Sequence, residues 1–125
     1  MYSSSRQAQV TAGGFGADRS WVVPIQPRAG AGKRRKLSFG RADSCDVALP
    51  FVEVSKHHGF LEQVGKDWYV TDGGSTNGTV VDGQKVGQEG VKLSEACMLE
   101  LGRVKARYLS AARFVQMLRQ ALRAL

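Results

Sequence analysis

Between Trp21 and Leu109 the chain alternates apolar and polar residues in short runs, broken by Gly, Pro, Asn or Asp at intervals of roughly 8–12 residues. Trp21-Val22-Val23-Pro24-Ile25 reads as a strand. Pro24 cannot donate to a ladder, which places that strand at a sheet edge. Leu37-Ser38-Phe39 and Asp46 to Leu49 are two more, the second closed by Pro50. Phe60 to Val64 and Trp68 to Thr71 flank the tight turn Gly65-Lys66. Thr79-Val80-Val81 and Gln84-Lys85-Val86 flank Asp82-Gly83, the dipeptide a type I′ hairpin demands. Met98 to Leu101 and Val104 to Leu109 form a last pair around Gly102-Arg103. The pattern predicts an all-β chain, an antiparallel β-sandwich of about 11 short strands.

From Ser110 the period changes. Apolar residues fall at Ala111, Phe114, Val115, Met117, Leu118, Ala121, Leu122 and Leu125, with Arg113, Gln116, Arg119, Gln120 and Arg123 opposite. That is the spacing of an amphipathic helix, with Ser110 as its N-cap. Residues 1–17 are rich in Ser, Gly, Ala and Gln without periodicity and read as a flexible tail. The expected organisation is a tail over 1–17, a β-sandwich over 18–109 and a C-terminal helix over 110–125.

Length and composition narrow the classes. A chain of 125 residues with 42% hydrophobic and 23% charged positions has the make-up of one ordinary globular domain. No apolar run has the length of a membrane span, and the first 20 residues lack the apolar centre of a secretory signal. Cys45 and Cys97 stand far apart with no CxxC spacing. They read as core residues in a reducing, cytoplasmic setting rather than as a disulfide or a zinc site. The net charge of +7 is unevenly spread. Residues 1–41 carry eight basic groups against Asp18, residues 42–100 carry four against ten acids, and residues 101–125 carry six with no acid. An acidic middle between basic ends, without interleaved aromatics, argues against a nucleic-acid partner.

Catalysis finds little support. Ser55, His57 and His58 lie close in sequence, but no GxSxG elbow exists, and adjacent histidines on a strand face opposite ways. Gly30-Ala31-Gly32-Lys33 hints at a phosphate loop, yet Pro27 stands where its first Gly belongs and Arg34 where Ser or Thr is needed. Asp and Glu are too scattered for a metal site. The expectation is a non-enzymatic chain without cofactor or metal.

Three turns carry the chemistry. Gly40-Arg41 ends one strand, Ser55-Lys56-His57-His58 precedes another, and Gly74-Ser75-Thr76-Asn77-Gly78-Thr79 follows a third. A sandwich gathers such loops at its poles. These offer one guanidinium, an ammonium, hydroxyls, a carboxamide and backbone N–H groups, and no negative charge. A phosphate dianion needs that inventory: a planar cation for bidentate contact, with neutral donors for the remaining lone pairs.

The run Gly40-Arg41, Ser55-x-x-His58 and Ser75-Thr76-Asn77-Gly78-Thr79 closely resembles the forkhead-associated domain, a reader of phosphothreonine peptides, over roughly residues 20–109. The stretches Asp43 to Leu49 and Asp82 to Val86 match that family's polar turn, buried strand and hairpin. The resemblance implies a sandwich of about 11 strands and a role for each motif residue. Arg41, Ser55 and Thr76 would bind the phosphate. Asn77 would hydrogen-bond the peptide main chain. Lys56 would reach the phosphate or a neighbouring peptide residue. Gly40, His58 and Gly78 would be architectural, with Gly40 permitting the turn and His58 bracing the loop.

The function implied is a phosphothreonine-dependent adaptor in serine/threonine kinase signalling. Its partner would be a phosphothreonine-containing protein, either the kinase or its substrate, with no membrane involved. Two rivals stand beside it: a phosphate-independent scaffold on the same fold, and a nucleic-acid binder using the basic ends.

Overall fold

A computed structural model describes residues 8–10, 20–26 and 35–123. The chain divides into two compact units, Ile25–Tyr108 and a second made of Met1–Pro24 with Leu109–Leu125. In the second unit, β1 (Ala8–Val10) pairs antiparallel with β2 (Ser20–Val22). Ala8–Val10 thus forms a strand inside the stretch read as a tail; residues 1–7 and 11–19 lie outside the described residues. Residues 27–34, which include Gly30-Ala31-Gly32-Lys33, lie outside them as well.

The larger unit is built on two sheets. Strands β3 (Lys36–Gly40), β4 (Val47–Ala48), β5 (Gly59–Val64), β6 (Asp67–Asp72) and β9 (Val91–Leu93) form one, in the order β4-β3-β5-β6-β9. Strands β7 (Thr79–Val81), β8 (Gln84–Lys85), β10 (Ala96–Leu101) and β11 (Val104–Leu109) form the other, in the order β11-β10-β7-β8. Among the described residues the two sheets hold nine strands where the sequence predicted about 11. The two remaining strands pair with each other instead. The pairing is not wholly antiparallel: β4 runs parallel to β3, with Phe39 beside Val47 and Gly40 beside Ala48.

Alternation along the strands makes the core. Leu37, Phe39, Leu61, Val70 and Leu93 are buried from one sheet, and Val81, Cys97, Leu101 and Tyr108 from the other. Register explains the first set, because Leu37 stands opposite Leu61 and Leu61 opposite Val70. Neither cysteine forms a disulfide, and both are buried, as their spacing predicted. Trp68 is only half-buried, near the end of β6 that follows the Gly65-Lys66 turn. At the Asp82-Gly83 turn both residues take positive φ, 46° and 85°, as a type I′ hairpin requires.

In the second unit α1 (Ala111–Arg123) starts on Ser110. The Ser110 hydroxyl accepts the Arg113 N–H at 3.2 Å, satisfying a donor that has no partner within the helix. No helix among the described residues is long and apolar enough to cross a membrane.

Candidate functional site

The turn after β3, the loop from Leu49 to His58 and the loop from Gly73 to Gly78 meet at one end of the two sheets. Buried Val54 anchors the middle loop: its side chain is fully enclosed, and its N–H donates to the Phe51 carbonyl at 3.0 Å. A lone apolar residue in a polar loop thereby fixes the two residues after it. Arg41 is tied to this anchor twice. Its backbone N–H donates to the Ser55 carbonyl at 2.9 Å, and its Nε–H donates to the Val54 carbonyl at 3.0 Å. The rest of the guanidinium stays exposed, with its terminal N–H groups available.

Gly40 makes that junction possible through close approach. A Cβ there would collide with the Lys56 carbonyl oxygen and press on the His58 nitrogen. Gly40 is not among the residues with positive φ, so the reason for glycine here is contact between backbones.

His58 joins the middle loop to the third. It is fully buried, and its ring stacks on Phe39 with centroids 5.6 Å apart. The Ser55 N–H donates to Nδ1 at 3.1 Å, so that nitrogen is the acceptor. Nε2 then carries the proton and donates to the Gly78 carbonyl at 3.1 Å. His57, next in sequence, is exposed.

The third loop is folded around Asp72. Its Oδ2 accepts the N–H groups of Gly74 and Ser75, each at 3.0 Å. Its Oδ1 accepts the hydroxyls of Ser75 at 2.5 Å and Thr79 at 2.7 Å. Burial would raise the carboxyl pKa, but the hydrogen bonds from Ser75, Thr79 and Gly74 outweigh it and hold Asp72 below its ordinary value. Ser75 Oγ in turn accepts the Gly78 N–H at 3.0 Å. Thr76 and Asn77 are left exposed at the tip.

Two contacts close the cradle. Ser55 Oγ accepts the Thr76 N–H at 3.0 Å. Asn77 Nδ2 donates to the Glu53 carbonyl at 2.9 Å. Arg41, Ser55, Thr76 and Asn77 therefore stand together on three short loops. Lys56 is exposed on the same loop as Ser55, and its carbonyl accepts the Ala42 N–H at 3.1 Å and the Cys45 thiol at 3.2 Å. Among the described residues no group of His, Cys, Asp and Glu is placed to hold a metal.

Sequence reasoning passed over Val54, Asp72 and Glu53. The first was legible as a lone apolar residue inside a polar loop. The second was legible as an Asp two and three residues before Gly74 and Ser75, a spacing that favours an Asx turn. Nothing local marked Glu53, since its part rests on a backbone carbonyl.

Comparison with known proteins fits this geometry. FhaB of Mycobacterium tuberculosis, an FHA domain-containing protein, is 47% identical over 48 residues, covering 38% of this chain and 31% of that protein. The match thus spans about a third of that relative's length. The fold resembles the FhaA FHA domain solved in complex with the intracellular domain of Rv3910, at a TM-score of 0.52 and 26% identity over 64% of this chain and 91% of that one. It also resembles a domain from work on phosphothreonine-dependent FHA domain interactions, at a TM-score of 0.54 and 24% identity over 67% of this chain and 92% of that one. The FHA domain family model matches residues 37–102, more than half of the sequence, and the chain belongs to that family.

Proposed function

We propose that this chain is a phosphothreonine-dependent adaptor, binding a partner protein that a serine/threonine kinase has phosphorylated. The observation that carries the reading is the convergence of Arg41, Ser55 and Thr76 on loops locked by His58 and Asp72. Arg41 would take two phosphate oxygens in a bidentate contact, and its fixed Nε bond would hold the plane of the fork. Ser55 Oγ accepts from Thr76 and still has its own proton to donate. Thr76 would supply a second hydroxyl, Lys56 a nearby positive charge, and Asn77 a hydrogen bond to the peptide main chain.

Such a site binds and does not transform. Donors and positive charge surround the anion, and no group is assigned as a base or nucleophile. The role proposed is that of an interaction module working in the cytoplasm. Titration by calorimetry with a phosphothreonine peptide and its unphosphorylated twin tests the reading. Binding of the phosphorylated form alone supports it. Equal binding of both would replace it with the phosphate-independent scaffold.

A further inference from the structure

Beside the cradle stands a row of cations to which the phosphothreonine reading gives no role. β11 leaves the turn Gly102-Arg103, and that turn touches the third loop. The Gly102 N–H donates to the Gly78 carbonyl at 3.3 Å, and a Cβ on Gly102 would lie 2.9 Å from the Asn77 Cβ. From there Arg103, Lys105 and Arg107 are exposed, while Val104 and Ala106 between them are half-buried and Tyr108 is buried. Alternation puts Lys105 and Arg107 on one face, about 7 Å apart along the strand, with Arg103 in the turn just before them. The row starts beside Asn77 and leads away from the cradle.

These charges are poorly neutralised. Arg103 is 92% exposed, and its Nε lies 3.7 Å from Glu53 Oε2, too far for a hydrogen bond. Among the described residues neither Lys105 nor Arg107 has an acidic partner within ion-pair distance, and Glu100 on the preceding strand makes no ion pair. An extended peptide repeats its own side chains on one face with the same spacing of about 7 Å.

We propose that the ligand continues from its phosphothreonine along β11, and that Arg103, Lys105 and Arg107 select acidic side chains at alternate positions of that continuation. The inference rests on the phosphothreonine reading and adds a substrate class to it: sites embedded in acidic sequence. Exposed pairs are individually weak, so three of them would tighten binding by about tenfold at low salt, with the gain shrinking as salt screens it.

The test is a titration of the full chain with four peptides. One carries phosphothreonine in neutral flanks. Two add Asp or Glu at alternate positions on its C-terminal or its N-terminal side. The fourth is acidic and unphosphorylated. One acidic extension should bind about tenfold tighter than the neutral phosphopeptide in dilute buffer, and this advantage should fade above about 0.3 M salt. The double variant Lys105→Glu, Arg107→Glu should lose the advantage and keep its affinity for the neutral phosphopeptide. Equal affinities for the phosphopeptides, or an advantage that survives charge reversal, would overturn the inference while leaving the cradle intact. Failure of every phosphopeptide to bind would overturn the reading of the cradle, and this inference with it. If charge reversal abolished binding of single-stranded RNA or anionic vesicles and left the peptides unaffected, the row would serve a different partner and the proposal would fall.

Discussion

Ser55 Oγ and the Thr76 backbone nitrogen lie 3.0 Å apart, with the hydroxyl oxygen accepting the N–H. The pair holds two loops at a fixed separation, and the Ser55 hydroxyl keeps its own proton to donate. One side chain is therefore both a spacer and a donor.

Ser55→Ala should remove both functions. Phosphothreonine-peptide affinity should drop by about tenfold, the worth of one hydrogen bond to a charged acceptor. Thermal stability should fall by no more than about 1 kcal/mol, because the Thr76 N–H lies in an exposed contact that water can satisfy. Calorimetry and a melting curve measure the two effects separately.

Arg41→Ala should cost binding about 30-fold or more and leave the fold standing. The guanidinium is exposed, and a charge-assisted contact contributes roughly 1.5–3 kcal/mol. Competition with free phosphothreonine sharpens the test, since the variant should lose sensitivity to it. Unchanged affinity would remove Arg41 from the site.

Asn77→Ala should weaken phosphothreonine and phosphoserine peptides by the same factor, because its assigned partner is the peptide backbone. The variant also loses the bond from Nδ2 to the Glu53 carbonyl, so amide exchange in the Glu53–Ser55 stretch should quicken. A loss confined to phosphothreonine peptides would assign Asn77 to the phosphothreonine side chain instead.

Asp72 sets an acid limit on the third loop. Its carboxyl titrates below its ordinary value near 4, so the folded state favours the ionised form. The stabilisation is complete above that ordinary value and is lost as pH falls through it toward the lower folded value. Asp72→Asn should be less stable than the parent at neutral pH, and the gap should close below about pH 4. Urea unfolding at pH 7, 5 and 3 gives the comparison. A constant gap would mean the four hydrogen bonds act without regard to charge.

The strands and the cradle differed in how far they could be read from residues. Period-two runs located β5, β6, β7 and β11, since alternation is all a half-buried strand needs. β9 was passed over: Val91-Lys92-Leu93 offers one alternation and no flanking hairpin. The parallel β3–β4 pair was also out of reach, because direction is settled by the compact turn over 41–46, whose bonds include Cys45 N–H to Ala42 O at 3.0 Å. Arg41, Ser55, Thr76 and Asn77 were named from the resemblance of their three motifs to the forkhead-associated domain. What holds them was legible only in part: Val54 and Asp72 left local signals that were passed over, whereas the Glu53 carbonyl acts through backbone geometry that adjacent letters do not encode.

Cys45 gives this end of the molecule a built-in stopwatch. Its side chain is 1% exposed, and its thiol donates to the Lys56 carbonyl at 3.2 Å, the carbonyl that also accepts the Ala42 N–H. A thiol reagent can reach that sulfur only while the two loops have parted, so the labelling rate equals the open fraction times the reaction rate of a bare thiol. A bound phosphopeptide spanning Arg41 and Ser55 would lower the open fraction and slow the clock at Cys45. Cys97, buried in β10 with its thiol pKa pushed up by burial and by the charge of Asp82, would time the opening of a different region. The ratio of the two rates, with and without ligand, separates a loop that breathes from a sandwich that unfolds.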